Sequence, residues 1–122
     1  MKEILNLSLN IKPTSYSTDK DEEIREQVRS EIRKQIPEFN EQYISKTITF
    51  CKEIEMTINC YLQPQINEPD IDNLAKVPID AVFFSGRNEI GDKEGWETKI
   101  NKLTVRKIKS NNNKLEIIMN VI

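Results

Sequence analysis

Apolar and polar residues alternate strictly at the start of the chain. Leu5, Leu7, Leu9 and Ile11 share one face of the segment Ile4–Ile11, which predicts a strand with one buried side. A proline and a run of polar residues then end the segment. We therefore expect this strand to belong to a sheet that turns one face to the core.

A four-residue repeat replaces the alternation between Thr18 and Pro37. The repeat consists of Ile24, Val28, Ile32 and Ile36. Acidic residues stand at the start of the segment and basic residues at its end, as the helix dipole favours. The narrow apolar stripe predicts a helix that packs on one side only, with its charged residues on a solvated face.

Alternation returns over Thr47–Leu62, where the even positions are apolar except for Lys52. This predicts one long strand, with a bend or a sheet edge at the lysine. Phe50 and Cys60 fall on its apolar face.

Turn signals divide the rest of the chain. An apolar stretch over 73–84 predicts a second helix, which Pro78 should kink or weaken. The segments 100–108 and 115–122 predict two strands, joined at 110–113 in what resembles a hairpin. The order β-α-β-α-β-β predicts an α+β fold with a mixed sheet covered by two helices.

The length of 122 residues favours one domain, 1–122. Hydrophobic residues at 37% and charged residues at 31% favour a folded chain over a disordered one. No stretch approaches the roughly 20 apolar residues needed to span a bilayer, and no signal peptide is visible at the start. Together with two cysteines that match no disulfide or zinc pattern, this predicts a soluble cytoplasmic protein with reduced thiols.

The sequence contains no histidine, and this excludes several chemistries. Serine–histidine and cysteine–histidine catalysis and histidine zinc sites are ruled out. Catalysis near neutral pH would need carboxylates, lysine, or water activated by a carboxylate-bound metal. The net charge of −2 argues against non-specific phosphate binding by the whole surface, but a local basic surface remains compatible with it.

Acidic residues precede the second helix in a pattern suited to a metal. Asp70 and Asp72 stand two apart in a segment expected to be extended, so both can point at one hard cation such as Mg²⁺. Lys76 and Asp80 follow at four-residue steps and should share a helix face with Asp72. A competing interpretation is helix capping by Asp72 or Asn73, with Lys76–Asp80 as a surface ion pair.

The run Asp70-Ile71-Asp72-Asn73-Leu74-Ala75-Lys76, completed by Asp80-Ala81, resembles the signature of the RusA-type Holliday junction resolvases. Chain length and element order resemble that family too. The resemblance implies a small homodimeric endonuclease, often prophage-encoded, that uses Mg²⁺ or Mn²⁺ to nick four-way DNA junctions on two strands.

The resemblance also implies roles for single residues. Asp70 and Asp72 would hold the metal, and Lys76 would contact the scissile phosphate. A third acid stands before the first hairpin strand in the family, and the matching position here is Glu97, with Asp92 as a substitute. The family's usual aspartate pair is missing at this place.

Basic residues concentrate after that position. The segment between Thr98 and Leu115 carries six of them and no acid: Lys99, Lys102, Arg106, Lys107, Lys109 and Lys114. They predict a basic hairpin surface for DNA, although lysine on an edge strand also discourages aggregation.

The leading hypothesis is therefore a Mg²⁺-dependent junction resolvase acting in DNA recombination and repair. The first alternative is a DNA-junction-binding relative with a decayed metal site. The second is an interaction protein in which Asp70 and Asp72 only cap a helix.

Overall fold

Four strands and three helices make up the part of the chain that the computed structural model describes, residues 2–15, 20–84 and 99–122. In chain order they are β1 (Lys2–Leu9), α1 (Asp21–Gln35), α2 (Glu41–Ile48), β2 (Ile54–Leu62), α3 (Ile71–Phe83), β3 (Ile100–Lys109) and β4 (Lys114–Val121). The predicted α+β class is confirmed, with one helix more than expected. No helix in these ranges is long and apolar enough to cross a bilayer.

The strands form a mixed sheet in the order β1-β4-β2-β3. β4 pairs antiparallel with β1 and β2, and β2 pairs parallel with β3. The mixed sheet is thus confirmed, but the predicted hairpin of β3 and β4 is wrong because β2 lies between them. β2 is buried at most positions and β3 is largely exposed, so burial favours β2 at the centre and β3 at the edge.

The connection between β3 and β4 passes over the end of β2, the strand that lies between them. The Ser110 N–H donates to the Leu62 carbonyl oxygen at 3.0 Å. Gln63, the residue after β2, bonds to this connection in two places. Its backbone N–H donates to Asn113 Oδ1 at 3.0 Å, and its Nε2 donates to the Asn111 carbonyl oxygen at 2.6 Å. The asparagines therefore support a wide connection and not a tight hairpin turn.

Helix α2 begins at Glu41 and includes Thr47 and Ile48, the first two residues of the predicted strand Thr47–Leu62, while the observed strand β2 begins only at Ile54. The side-chain oxygen of Asn40 accepts a backbone N–H from the first turn at 2.8 Å and so caps this helix. Ile44 and Ile48 are buried four residues apart, as in a helix that packs on one side. Phe50, expected on the apolar face of a strand, is 94% exposed.

The helices pack on one face of the sheet, where the main core lies. That face carries Leu5, Leu7 and Leu9 of β1, Leu115, Ile117 and Met119 of β4, and Met56, Ile58 and Cys60 of β2. Both cysteines are free, as predicted. Burial raises the pKa of the Cys60 thiol to about 11, so it stays protonated at neutral pH.

Two arginines of α1 lie inside the protein and correct the prediction of a wholly solvated charged face. Arg25 and Arg29 are both buried. Arg29 donates through Nε to the Ala81 carbonyl oxygen at 3.0 Å and through Nη2 to the Asp80 carbonyl oxygen at 3.1 Å. Its guanidinium also lies 4.3 Å from the centre of the Phe84 ring. Arg29 therefore ties α1 to the last turn of α3. The Asp80 carbonyl oxygen also accepts the Phe84 N–H, whereas carbonyls at a helix end otherwise need partners from outside the helix.

Arg29→Met should lower the free energy of unfolding by about 3 kcal/mol, because it deprives two buried carbonyl groups of a charged donor. Urea denaturation followed by circular dichroism measures the loss. Lys34→Met is the matched control, since Lys34 is 68% exposed and pairs with Glu31 at the surface. We expect the control to cost under about 1 kcal/mol. Equal losses in the two variants would contradict the tie between the helices.

Candidate functional site

The acidic segment predicted to bind metal lies at the start of α3. Asp70 directly precedes the helix with extended backbone (φ −70°, ψ 148°), and its carbonyl oxygen accepts the Leu74 N–H at 3.2 Å. The helix begins at Ile71, so Asp72 lies in the first turn. The prediction that one extended loop carries both Asp70 and Asp72 is therefore wrong for Asp72, whose backbone is helical.

The capping interpretation of this segment is not supported either. Asp70 occupies the cap position, but its side chain makes no cap hydrogen bond. Asp72, expected at the cap, is already helical. Both side chains are exposed, and neither forms a hydrogen bond or ion pair with the rest of the described chain. Exposed carboxylates fit Mg²⁺ by donor type, because this ion takes one or two protein carboxylates and keeps several waters.

Asp72, Lys76 and Asp80 share one face of α3, as predicted from their spacing. They line a cleft between α3 and β3 whose apolar wall includes Leu103 and Val105. Lys76 Nζ lies 3.1 Å from Asp80 Oδ2, and the side chains are 51% and 9% exposed. The pair therefore differs from an ordinary surface ion pair, since a buried carboxylate holds a lysine whose side chain remains half exposed.

Five of the six basic residues of the predicted hairpin surface lie on strands, and these five are divided between the two faces of the sheet. Successive residues of a strand point to opposite faces. In β3, Lys102 and Arg106 pair with β2 residues of the face without helices, whereas Lys107 and Lys109 pair with residues of the helix-covered face. One continuous basic surface on a hairpin is therefore a wrong prediction.

Two of the predicted DNA contacts bind the protein itself. Lys107 Nζ donates to the Pro69 carbonyl oxygen at 3.0 Å and pairs with Glu68 Oε1 at 2.8 Å. The hydrogen bond from Lys107 and its charge lower the pKa of Glu68. Lys99 Nζ lies 3.3 Å from the Thr49 carbonyl oxygen, at the end of α2. Contacts of the predicted basic residues with DNA stay predictions.

A polar cluster on the face without helices was not predicted from the sequence. Tyr61 Oη donates to Glu116 Oε1 at 2.7 Å, and Asn59 Nδ2 donates to the same oxygen at 3.2 Å. The bond to Glu116 raises the pKa of Tyr61. Lys114 Nζ lies 4.4 Å from the centre of the Tyr61 ring. The sequence signal that could have indicated this cluster is Asn59, an amide in the middle of the predicted strand, which the structure shows to be buried.

The third predicted ligand, Glu97, and its substitute Asp92 both lie outside the described residues. Among residues 2–15, 20–84 and 99–122, no three or more His, Cys, Asp or Glu side chains group together in a way that could hold a metal ion. A site of three acids therefore stays a prediction, and the described acids at the start of α3 are Asp70 and Asp72.

Comparison with known proteins assigns no family to the chain. No protein-family model matches it, and no curated protein matches it. The resemblance to the RusA-type resolvases therefore stays a prediction from the sequence signature between Asp70 and Ala81.

Proposed function

We propose that this protein is a Mg²⁺-dependent, structure-selective DNA endonuclease of the Holliday junction resolvase type. The observation that carries the proposal is the arrangement at the start of α3. Asp70 and Asp72 keep exposed carboxylates without partners in the described chain, and Lys76 lies one turn further along the face of Asp72. A helix start that only needed a cap would use one of these carboxylates for it.

The residues have separate roles in this proposal. Asp70 and Asp72 hold the divalent ion, with Glu97 or Asp92 as the third acid. When bound, Mg²⁺ activates water and stabilises the charge that develops on a phosphoryl group. Lys76 adds a positive charge on the same side, and Asp80 orients it along the cleft.

A two-fold homodimer suits this reaction. Resolving a four-way junction requires paired nicks on two strands, and a dimer with two-fold symmetry presents two equivalent sites. The proposal therefore includes a homodimer that binds branched DNA.

The second candidate is a DNA-junction-binding protein without catalysis. It is favoured by the described part of the chain, where the acids at the start of α3 number two and no larger metal-ligating group is found. The net charge of −2 is unusual for tight non-specific DNA binding and would suit recognition of junction shape. This candidate requires no metal at α3.

A magnesium titration combined with a cleavage assay separates the two candidates. In the first, Mg²⁺ shifts the amide NMR signals of Asp70 and Asp72, and a labelled four-way junction is nicked in Mg²⁺ but not in EDTA. A linear duplex of the same sequence is the control and should stay intact. Junction binding without Mg²⁺-dependent shifts or nicking would establish the non-catalytic candidate. Absence of both binding and nicking would reject both.

A further inference from the structure

Lys107 holds the backbone immediately before Asp70. Its Nζ donates to the Pro69 carbonyl oxygen at 3.0 Å and lies 2.8 Å from Glu68 Oε1. The lysine side chain is 31% exposed and that of Glu68 41% exposed, so the contacts sit at the surface beside the start of α3. Two consecutive residues of the loop are thus bound by one ammonium group.

The fold explains why this lysine reaches the loop. Lys107 lies near the end of the edge strand β3 and pairs with Cys60 of β2, whose side chain is in the core under the helices. Lys107 therefore projects on the helix-covered side of the sheet. The loop that leaves β2 crosses this side before α3 begins, which brings Pro69 within hydrogen-bond distance.

The contact determines how the chain approaches Asp70. The Pro69 carbonyl and the Asp70 nitrogen belong to one planar peptide group, so a bond that holds the carbonyl also holds that nitrogen. The ring of Pro69 restricts its own φ, and a proline confines the residue before it, Glu68, to extended backbone. The two peptide groups on either side of Asp70 are therefore both held: the preceding one by the bond from Lys107 to the Pro69 carbonyl oxygen, and the following one by the bond from the Leu74 N–H to the Asp70 carbonyl oxygen.

We infer that Lys107 is a positioning residue for Asp70: by holding the backbone before Asp70, Lys107 sets the direction in which the Asp70 carboxylate meets the divalent ion. This inference rests on the proposed function, because it assumes that Asp70 holds Mg²⁺. It replaces the role predicted from the sequence, in which Lys107 contacts a DNA phosphate. Partners that orient a metal ligand typically change metal affinity or activity by about ten- to a hundredfold when removed.

The charge of Lys107 by itself predicts the opposite change in Mg²⁺ affinity, so the two explanations can be distinguished by experiment. Lys107→Met removes a positive charge close to the proposed cation site. Simple electrostatics would then give tighter Mg²⁺ binding, since less repulsion acts on the ion. Loss of positioning gives weaker binding. The sign of the change in Mg²⁺ affinity therefore distinguishes the two effects.

The experiment measures Mg²⁺ binding to the full-length protein by titration calorimetry, without DNA. For Lys107→Met we expect the dissociation constant of Mg²⁺ to rise by about tenfold or more. Lys107→Arg keeps a charged donor and should stay within about threefold of the parent. Lys109→Met is the matched control, because it removes the same charge from the same strand face two residues further on. Lys107→Gln is the second variant, should the methionine variant fail the unfolding check in urea.

Junction binding in EDTA completes the test. A positioning residue leaves both the affinity for a four-way junction and its salt dependence unchanged. Weaker junction binding with a salt slope lower by about one, and unchanged Mg²⁺ affinity, would make Lys107 a phosphate contact and overturn the inference. Equal or tighter Mg²⁺ binding in both Lys107→Met and Lys107→Gln would overturn it as well. A parent protein that binds no Mg²⁺ would reject the proposed function itself, and the inference with it.

Discussion

Asp70→Asn or Asp72→Asn should abolish junction cleavage, to below about a thousandth of the parent rate, while junction binding stays unchanged or becomes tighter. Asparagine keeps the shape of the side chain but removes the negative charge that a hard cation requires. The loss corresponds to about 4 kcal/mol of transition-state stabilisation, within the range attributed to a catalytic metal ion. Binding persists because removing a carboxylate also removes its repulsion of phosphate.

Single-turnover cleavage of a labelled four-way junction at saturating protein measures this effect. Glu23→Gln is the control, because Glu23 is an exposed acid in the first turn of another helix, α1. It should cut at the parent rate. Normal cutting by either aspartate variant would show that the ion is not held at the start of α3. Unfolding in urea should shift little for Asp70→Asn, since that side chain makes no cap hydrogen bond.

Lys76→Ala should slow cleavage by roughly a hundredfold or more at saturating Mg²⁺, the scale of losing one preorganised charge-stabilising donor. The affinity for Mg²⁺ should hardly change, because no coordinating oxygen is lost. The measurement is single-turnover cleavage together with a magnesium titration. Lys46→Ala, which removes an exposed lysine from α2, should leave both unchanged.

The ion pair with Asp80 makes a second control necessary for Lys76. Removing the lysine takes the 3.1 Å partner from a carboxylate that is 9% exposed, so some stability is lost as well. The double variant Lys76→Met and Asp80→Asn removes both charges of the pair, and its unfolding in urea separates the loss of stability from the effect on cleavage. If it still cuts about a hundredfold more slowly, the lysine acts on the reaction. A Lys76→Ala protein that binds junctions weakly but cuts normally when saturated would reduce Lys76 to a substrate-positioning contact.

The candidate site was predictable from the sequence where it depends on local geometry. Asp72, Lys76 and Asp80 share a face because a helix repeats every 3.6 residues, whatever surrounds it. The orientation of Asp70 relative to Asp72 was not predictable in the same way. It depends on where α3 begins, and the helix starts at Ile71, two residues earlier than the apolar pattern indicated.

The alternating strand β1 and the existence of the helix α1 were likewise determined by the sequence alone, since the hydrophobic period specifies the element. It also specifies the buried side of β1, but for α1 it predicts the buried Val28 and Ile32 and misses Arg25 and Arg29. The short helix α2 was not predicted, because Ile48 and Phe50 fit the alternation of the strand that follows. In the structure, an asparagine cap and two buried residues four apart outweigh that pattern.

Only the tertiary structure decided which strands are neighbours and which charges are buried. The sequence places β3 next to β4, yet the more apolar β2 takes the central position between them, because pairing depends on burial across the whole sheet. That choice puts β3 at the edge and directs Lys107 towards the loop before Asp70. Arg29 is buried for a similar reason, since the carbonyls that it binds belong to a helix more than fifty residues away in the chain. The periodicity of a segment indicates which of its sides is apolar. The element that packs against that side is determined by residues distant in sequence.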